Sequence, residues 1–222
     1  MRAMQTGNTI RCGFDLRAAA AHTGALTARD FIRRDNDMLT VILNGSPHAR
    51  GDTAQLIAAL RSELPGQVEE VRAYSNDIAP CNDCRWCRTH IGCVRRDGMQ
   101  RVYELLERAD NVVVASPVYY SELTGRLLDL MSRLQTYYSR TRFMGAKSPL
   151  SRPRHGAILL VGGGDGEPDT ALTTARRLLH CVGVSEPECA MSLRTDELPA
   201  AQDEPALAAA RDIGRKLGEQ CG

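Results

Sequence analysis

No apolar run in this chain approaches the ~18 residues that a membrane span needs. Neither sign of charge is in excess: the formal net charge is +1, which gives no footing for nucleic acid or an anionic membrane. Lysine is scarce, and the basic charge is carried almost wholly by Arg, a compositional bias and not a binding surface. A secretory signal is missing too. The longest apolar stretch of the first 37 residues, Ala18 to Ala21, is too short for an h-region, and Asp15, Asp30, Asp35 and Asp37 interrupt it. There is no GxxxxGK[ST] and no GxGxxG, which weighs against a P-loop ATPase and a Rossmann dinucleotide site. Internal repeats and low-complexity tracts are absent. These absences point to a cytoplasmic protein whose eight cysteines stay reduced.

What is present is ordinary globular material. The 222 residues, 43% hydrophobic and 25% charged, suffice for one well-buried core and fall short of two full domains. Residues 1–37 show no sustained period and read as a weakly ordered extension, or as a gene-start artefact with Met38 as the true start. The domain is expected over residues 38–222.

From Met38 onward, strand and helix patterns alternate. A short continuous apolar run at 39–43 reads as a strand covered on both faces; 68–73, 111–115 and 157–161 read as further strands, 111–115 the clearest, and 184–192 supplies a fifth. Between them, Leu56, Ile57, Leu60 and Leu64 mark one helical face, as do Met99, Val102, Leu105 and Leu106. Leu123, Leu127, Leu130, Met131 and Leu134 predict one long amphipathic helix. Further helices carry Leu172, Ala175, Leu178 and Leu179, then Leu207, Ala210, Ile213 and Leu217. Alternation repeated five times predicts an α/β fold, a doubly wound parallel sheet with helices on both faces. Such sheets bind ligands outside the carboxyl ends of their strands.

Three loops fall at that edge. The first, residues 44–53, leads from strand to helix, where unpaired N–H groups and the helix dipole suit a phosphate. Ser46 and Thr53 add hydroxyls and Arg50 a guanidinium fork, while Asp52 is either a helix cap or a repulsive neighbour. The second carries Pro117, Val118, Tyr119 and Tyr120, whose rings and amides suit a planar aromatic ligand. The third is Gly162, Gly163, Gly164, Asp165 and Gly166, where glycine permits close backbone approach. Together they describe a phosphate pocket beside a slot for a flat ring.

The segment GSPHARGDT at 45–53 resembles the GSPR-x-x-GNT phosphate loop of the NAD(P)H-dependent FMN reductase and iron–sulfur flavoprotein families. SPVYYSELTGRLLDLMSRL at 116–134 resembles their flavin-ring loop and following helix, and the glycine run resembles their third loop. The resemblance starts at about residue 38. It implies a flavodoxin-like fold with strand order 2-1-3-4-5, and FMN with its phosphate among Ser46, His48, Arg50, Asp52 and Thr53. Its isoalloxazine would contact Pro117, Val118, Tyr119, Tyr120 and residues 162–165. His48 stands where Arg is usual and Asp52 where Asn is usual; both reduce positive charge, so FMN is expected to bind more weakly, with Arg50 compensating. The resemblance further implies a homodimer or homotetramer, for which Tyr137, Tyr138 and Phe143 are candidate contacts, packing within one chain being the other reading.

Cys81, Cys84, Cys87 and Cys93, in a cysteine-rich loop at 80–97, are spaced C-x2-C-x2-C-x5-C. Four thiolates can hold an iron–sulfur cluster or a tetrahedral zinc, and free or redox-active thiols explain the loop as well. The compact spacing resembles the motif of iron–sulfur flavoproteins, which implies a [4Fe–4S] cluster. Cys181 and Cys189 read as core residues. Arg85, Arg88, Arg95 and Arg96 decorate the loop as a solvated basic face or a surface for an acidic partner or nicotinamide phosphates. The function implied is an FMN-dependent oxidoreductase taking electrons from NAD(P)H and passing them to a small-molecule, quinone or protein acceptor. A non-catalytic electron carrier, and a cysteine-loop metal or redox sensor without flavin, are the rivals.

Overall fold

The computed structural model describes residues 38–75, 77–164 and 167–219. The extension expected over residues 1–37 lies outside the described residues, as does Asp165 of the third loop. Five strands form one parallel sheet: β1 (Leu39–Asn44), β2 (Gln67–Arg72), β3 (Asn111–Pro117), β4 (His155–Gly162) and β5 (Glu188–Leu193). Their order is β2-β1-β3-β4-β5, as the resemblance implies, and the register sets Ile42 beside Val113 and Val114 beside Ile158.

Every residue of β1 is buried, because side chains of a strand covered on both faces alternate between two cores. Leu39, Val41 and Leu43, with Val112, Val114, Ile158 and Leu160, join one core. It is covered by α2 (Met99–Arg108), α3 (Gly125–Ser132), α4 (Gln135–Met144) and α5 (Asp169–Cys181). Ile42, Val113, Ala115, Leu159 and Val161 join the other, under α1 (Asp52–Arg61) and α6 (Glu204–Glu219). The outer edge β2 is short and rich in charge, with Glu69, Glu70 and Arg72, which discourages pairing with another sheet.

One expectation fails in an instructive way. The single long helix after β3 is two helices, α3 and α4, broken at Arg133 and Leu134. At the break the bonds tighten to three-residue spacing, Leu134 to Met131, Thr136 to Arg133 and Tyr137 to Leu134. The Arg133 carbonyl there also accepts the Tyr103 hydroxyl of α2 at 3.0 Å. Cys181 is exposed and Cys189 half-buried, so Cys181 does not join the core. Tyr137 is buried edge-on against Tyr103, ring centroids 5.6 Å apart, and packs within its own chain; Tyr138 and Phe143 are exposed. Among the described residues no helix is long and apolar enough to cross a membrane.

Candidate functional site

Asn44 closes β1 and folds the loop behind it. Its Oδ1 accepts the Ser46 N–H at 2.7 Å, and its Nδ2 donates to Glu70 Oε1 at 2.9 Å. The Ser46 hydroxyl accepts the His48 N–H at 3.2 Å. These nested side-chain turns carry the chain to Gly51, the N-cap of α1, where no side chain caps the helix. The helix start and its positive dipole end therefore suit an anion, although the Ala54 N–H is already taken by the Gly51 carbonyl at 2.9 Å. Ser46 and Thr53 are buried, His48 and Arg50 exposed. Asp52 commits Oδ1 to the Ala200 N–H at 2.8 Å, a long-range tie that accounts for its place in a loop suited to anions.

The second loop is a hairpin. Val118 N–H donates to the Val161 carbonyl at 2.8 Å, and Tyr119 and Glu122 exchange backbone bonds of 2.9 and 3.0 Å. Tyr120 and Ser121, the two residues between them, are both left-handed, φ 52° and 61°, so the tight turn presents the Tyr120 ring fully to solvent. Pro117 and Val118 are half-buried beside it. Glu122 anchors the hairpin to α5 by accepting the Thr174 hydroxyl at 2.8 Å, and the Ser121 carbonyl accepts the Ala171 N–H at 2.9 Å.

The third loop leaves β4 at Gly162, whose carbonyl accepts the Thr195 N–H at 2.8 Å. A side chain at Gly163 would meet the Asp196 carboxylate at 2.7 Å, whereas Gly164 has open space around it. All three loops emerge at the carboxyl edge of the sheet. The first two meet at the β1–β3 boundary, where chain direction across the sheet reverses and where open α/β sheets form their ligand crevice. An uncapped helix start and an exposed tyrosine pair there, with an unobstructed glycine beyond the end of β4 at the same sheet edge, fit a flat-ring phosphate such as FMN.

The cysteine loop lies between β2 and α2. Its backbone turns through left-handed Asp83 and Arg85, φ 48° and 63°, on either side of Cys84, and Cys81 N–H is held by the Ser132 hydroxyl at 2.9 Å. Trp86 stacks on His90 with centroids 3.6 Å apart, and Arg88 lies 4.7 Å over the Phe143 ring of α4. Among the described residues no three His, Cys, Asp or Glu side chains converge closely enough to hold a metal ion. The loop does bring Cys81, Cys84, Cys87 and Cys93 to the lining of one shallow cleft of about 30 Å³.

Arg133 and Arg95 line the same cleft. Each has a buried Nε with no hydrogen-bond partner, a loss of about 1–3 kcal/mol apiece if nothing accepts it. Four thiols with two orphaned N–H donors beside them fit an anionic sulfur-rich group better than they fit zinc alone. Sequence reasoning passed over Arg133, although Leu130, Arg133, Leu134 and Tyr137 share the i, i+3, i+4, i+7 stripe of a buried face. A charge in that stripe was the available signal. Its partner Asp97 had none, being one acidic residue in a polar loop.

Residues 38–196 match the NADPH-dependent FMN reductase family. An iron–sulfur flavoprotein of Archaeoglobus fulgidus is 28% identical over 185 residues, covering 82% of this chain and 80% of its own. One of Methanocaldococcus jannaschii is 36% identical over 138 residues, 60% of this chain and 66% of that one. Among solved structures, the NAD(P)H:quinone oxidoreductase of Methanothermobacter marburgensis superposes with a TM-score of 0.63 at 19% identity, covering 81% of this chain and 96% of that one. With the fold and the match from Met38 to Asp196 in agreement, the chain belongs to the NADPH-dependent FMN reductase family, and is a flavodoxin-like flavoprotein of the oxidoreductase class.

Proposed function

We propose that this chain is an NAD(P)H-dependent oxidoreductase that holds FMN at the β1–β3 crevice and passes electrons on to a small-molecule, quinone or protein acceptor. The observation that carries the reading is the uncapped start of α1 beside the Tyr119–Tyr120 hairpin at that crevice. Ser46, His48, Arg50, Asp52 and Thr53 would surround the phosphate, with Arg50 the charged contact. Pro117, Val118, Tyr119, Tyr120, Gly162, Gly163, Gly164 and Asp165 would hold the ring. Bound FMN supplies the chemistry itself, accepting a hydride and releasing electrons singly or in pairs.

The chain needs no nucleophile or general base of its own. Its residues bind and orient. The Asn44 and Ser46 turns shape the loop that would hold the phosphate, and the Glu122–Thr174 bond ties to α5 the loop that would hold the ring. Cys81, Cys84, Cys87 and Cys93 would hold a [4Fe–4S] cluster, supported by their shared cleft, by the two orphaned guanidinium donors and by the likeness to proteins named iron–sulfur flavoproteins. Work in the cytoplasm as a homodimer or homotetramer completes the reading.

Anaerobic purification tests it directly. The expected protein is coloured, releases FMN on denaturation, carries iron and acid-labile sulfide, and oxidises NADH or NADPH when an acceptor is added. A colourless protein that takes up no added FMN would remove the flavin reading. Zinc, or no metal, with flavin intact would remove the cluster alone. A flavin- and iron-loaded protein without steady-state NAD(P)H oxidation would favour the electron carrier, the reading to which the cysteine cleft also lends itself.

A further inference from the structure

The junction of α3 and α4 places a permanent positive charge in the wall of the cysteine cleft. The Arg133 side chain is 1% exposed. Its Nη1 donates to the Ala79 carbonyl at 2.7 Å and to Asp97 Oδ2 at 2.6 Å, and Nη2 donates to Asp97 Oδ1 at 3.2 Å. Asp97 is held in turn by the N–H groups of Met99 and Ala79, at 3.1 and 3.3 Å. An ion pair that only braced the fold would account for both Nη atoms. It leaves Nε without a role, buried and unpartnered, in a residue that lines the same cleft as the four thiols.

We propose that Arg133 is a positioning residue that sets the reduction potential of the cluster held by Cys81, Cys84, Cys87 and Cys93, its Nε–H donating to sulfur and Asp97 acting as counterweight. This rests on the cluster reading given above. Four thiolates surround such a cluster with negative charge, and adding an electron makes it more negative. A guanidinium, which stays protonated throughout, favours the reduced form, as does each hydrogen bond to sulfur. Asp97 opposes it, cancelling part of the charge from the far side of the fork. The other charged side chains lining the cleft are Asp83, Arg85, Arg88 and Arg95. Asp83 and Arg85 pair with each other in solvent, where their fields are screened; Arg95 supplies the second buried N–H.

The two residues should therefore move the potential in opposite directions, an outcome that a purely structural pair would not give. The experiment is a redox titration of anaerobically purified holoprotein, following the reduced cluster by electron paramagnetic resonance, with iron and sulfide counted per chain. Arg133→Gln is expected to shift the one-electron equilibrium at least tenfold toward the oxidised form, 59 mV downward. Arg133→Lys, which keeps the charge and loses the Nε donor, is expected to shift it less in the same direction. Asp97→Asn is expected to shift it upward. Should Arg133→Gln fail to fold or load, the Lys and Asn variants still decide the matter. Loaded variants with wild-type potentials, or shifts of the same sign at both positions, overturn the proposal and leave the cluster reading standing. A wild-type protein without iron and sulfide overturns both.

Discussion

The Thr124 hydroxyl donates to the Gly45 carbonyl at 2.7 Å, and a Cβ placed on Gly45 would lie 2.8 Å from that same hydroxyl oxygen. The contact joins the loop after β1 to the start of α3 at the β1–β3 boundary. Leu127 closes the space from the other side, its Cδ2 and Cβ at 2.9 and 3.0 Å from the same point. Gly45→Ala must push both residues apart inside a buried region. Overpacking of this kind costs about 1–3 kcal/mol, so chemical denaturation should show a loss of that order, accompanied by weaker FMN retention. Unchanged stability would mean that the loop relaxes freely.

Asp52 stands at the start of α1 and accepts the Ala200 N–H. Asn keeps an acceptor there and removes the charge. Asp52→Asn is expected to lose about 0.3–1 kcal/mol of helix-dipole stabilisation and to tighten FMN binding by a similar amount, up to about fivefold in Kd. Fluorescence titration of the apoprotein checks the second effect. Weaker binding would show that the tie to Ala200 matters more than the charge.

The Tyr120–Ser121 turn places two consecutive L-residues in the left-handed region, where each costs about 1–2 kcal/mol. Turns of this shape favour Gly at the second position. Ser121→Gly should raise Tm by about 2–4 °C for each kcal/mol recovered, with the Ser121 carbonyl bond to Ala171 retained. Tyr120→Gly should relieve strain as well and weaken flavin or acceptor binding. A Tm unchanged in both variants would contradict the strain argument.

Burial pushes the Asp97 carboxyl upward, but the Arg133 guanidinium and the Met99 and Ala79 amides outweigh it, leaving the group below the ordinary carboxylate range. A carboxylate with a lower pKa folded than unfolded contributes stability that is complete above its unfolded value, near about 4. That contribution is lost as pH falls through the folded value. The apoprotein should lose stability on acidification below about pH 4, and Asp97→Asn should show a flatter slope over the same window in urea titrations. Parallel slopes would assign the acid loss to other carboxylates.

The strands were legible within a few residues because two-sided burial writes itself as continuous apolar runs, β1 and β3 above all. The three loops at the carboxyl edge were legible because Gly, Pro and Ser punctuate the ends of those runs. The break between α3 and α4 was not, since the apolar stripe continues through it in unbroken register and the Tyr103 hydroxyl that claims the Arg133 carbonyl comes from α2. Cys181, expected in the core, is instead the last residue of α5 and lies exposed just past its buried turn, a placement that no local pattern records.

By itself, then, the sequence determined the succession of elements, the sheet edge that carries the site and the spacing of the four cysteines, all of which follow from periodicity and local turn chemistry. Tertiary structure alone decided that Arg133 meets Asp97 across 36 positions and that Asp52 meets Ala200 across 148. The reason is physical. A buried charge or an uncapped carboxylate is tolerated only beside a partner, and that partner is delivered by the packing of distant elements, which no local pattern records.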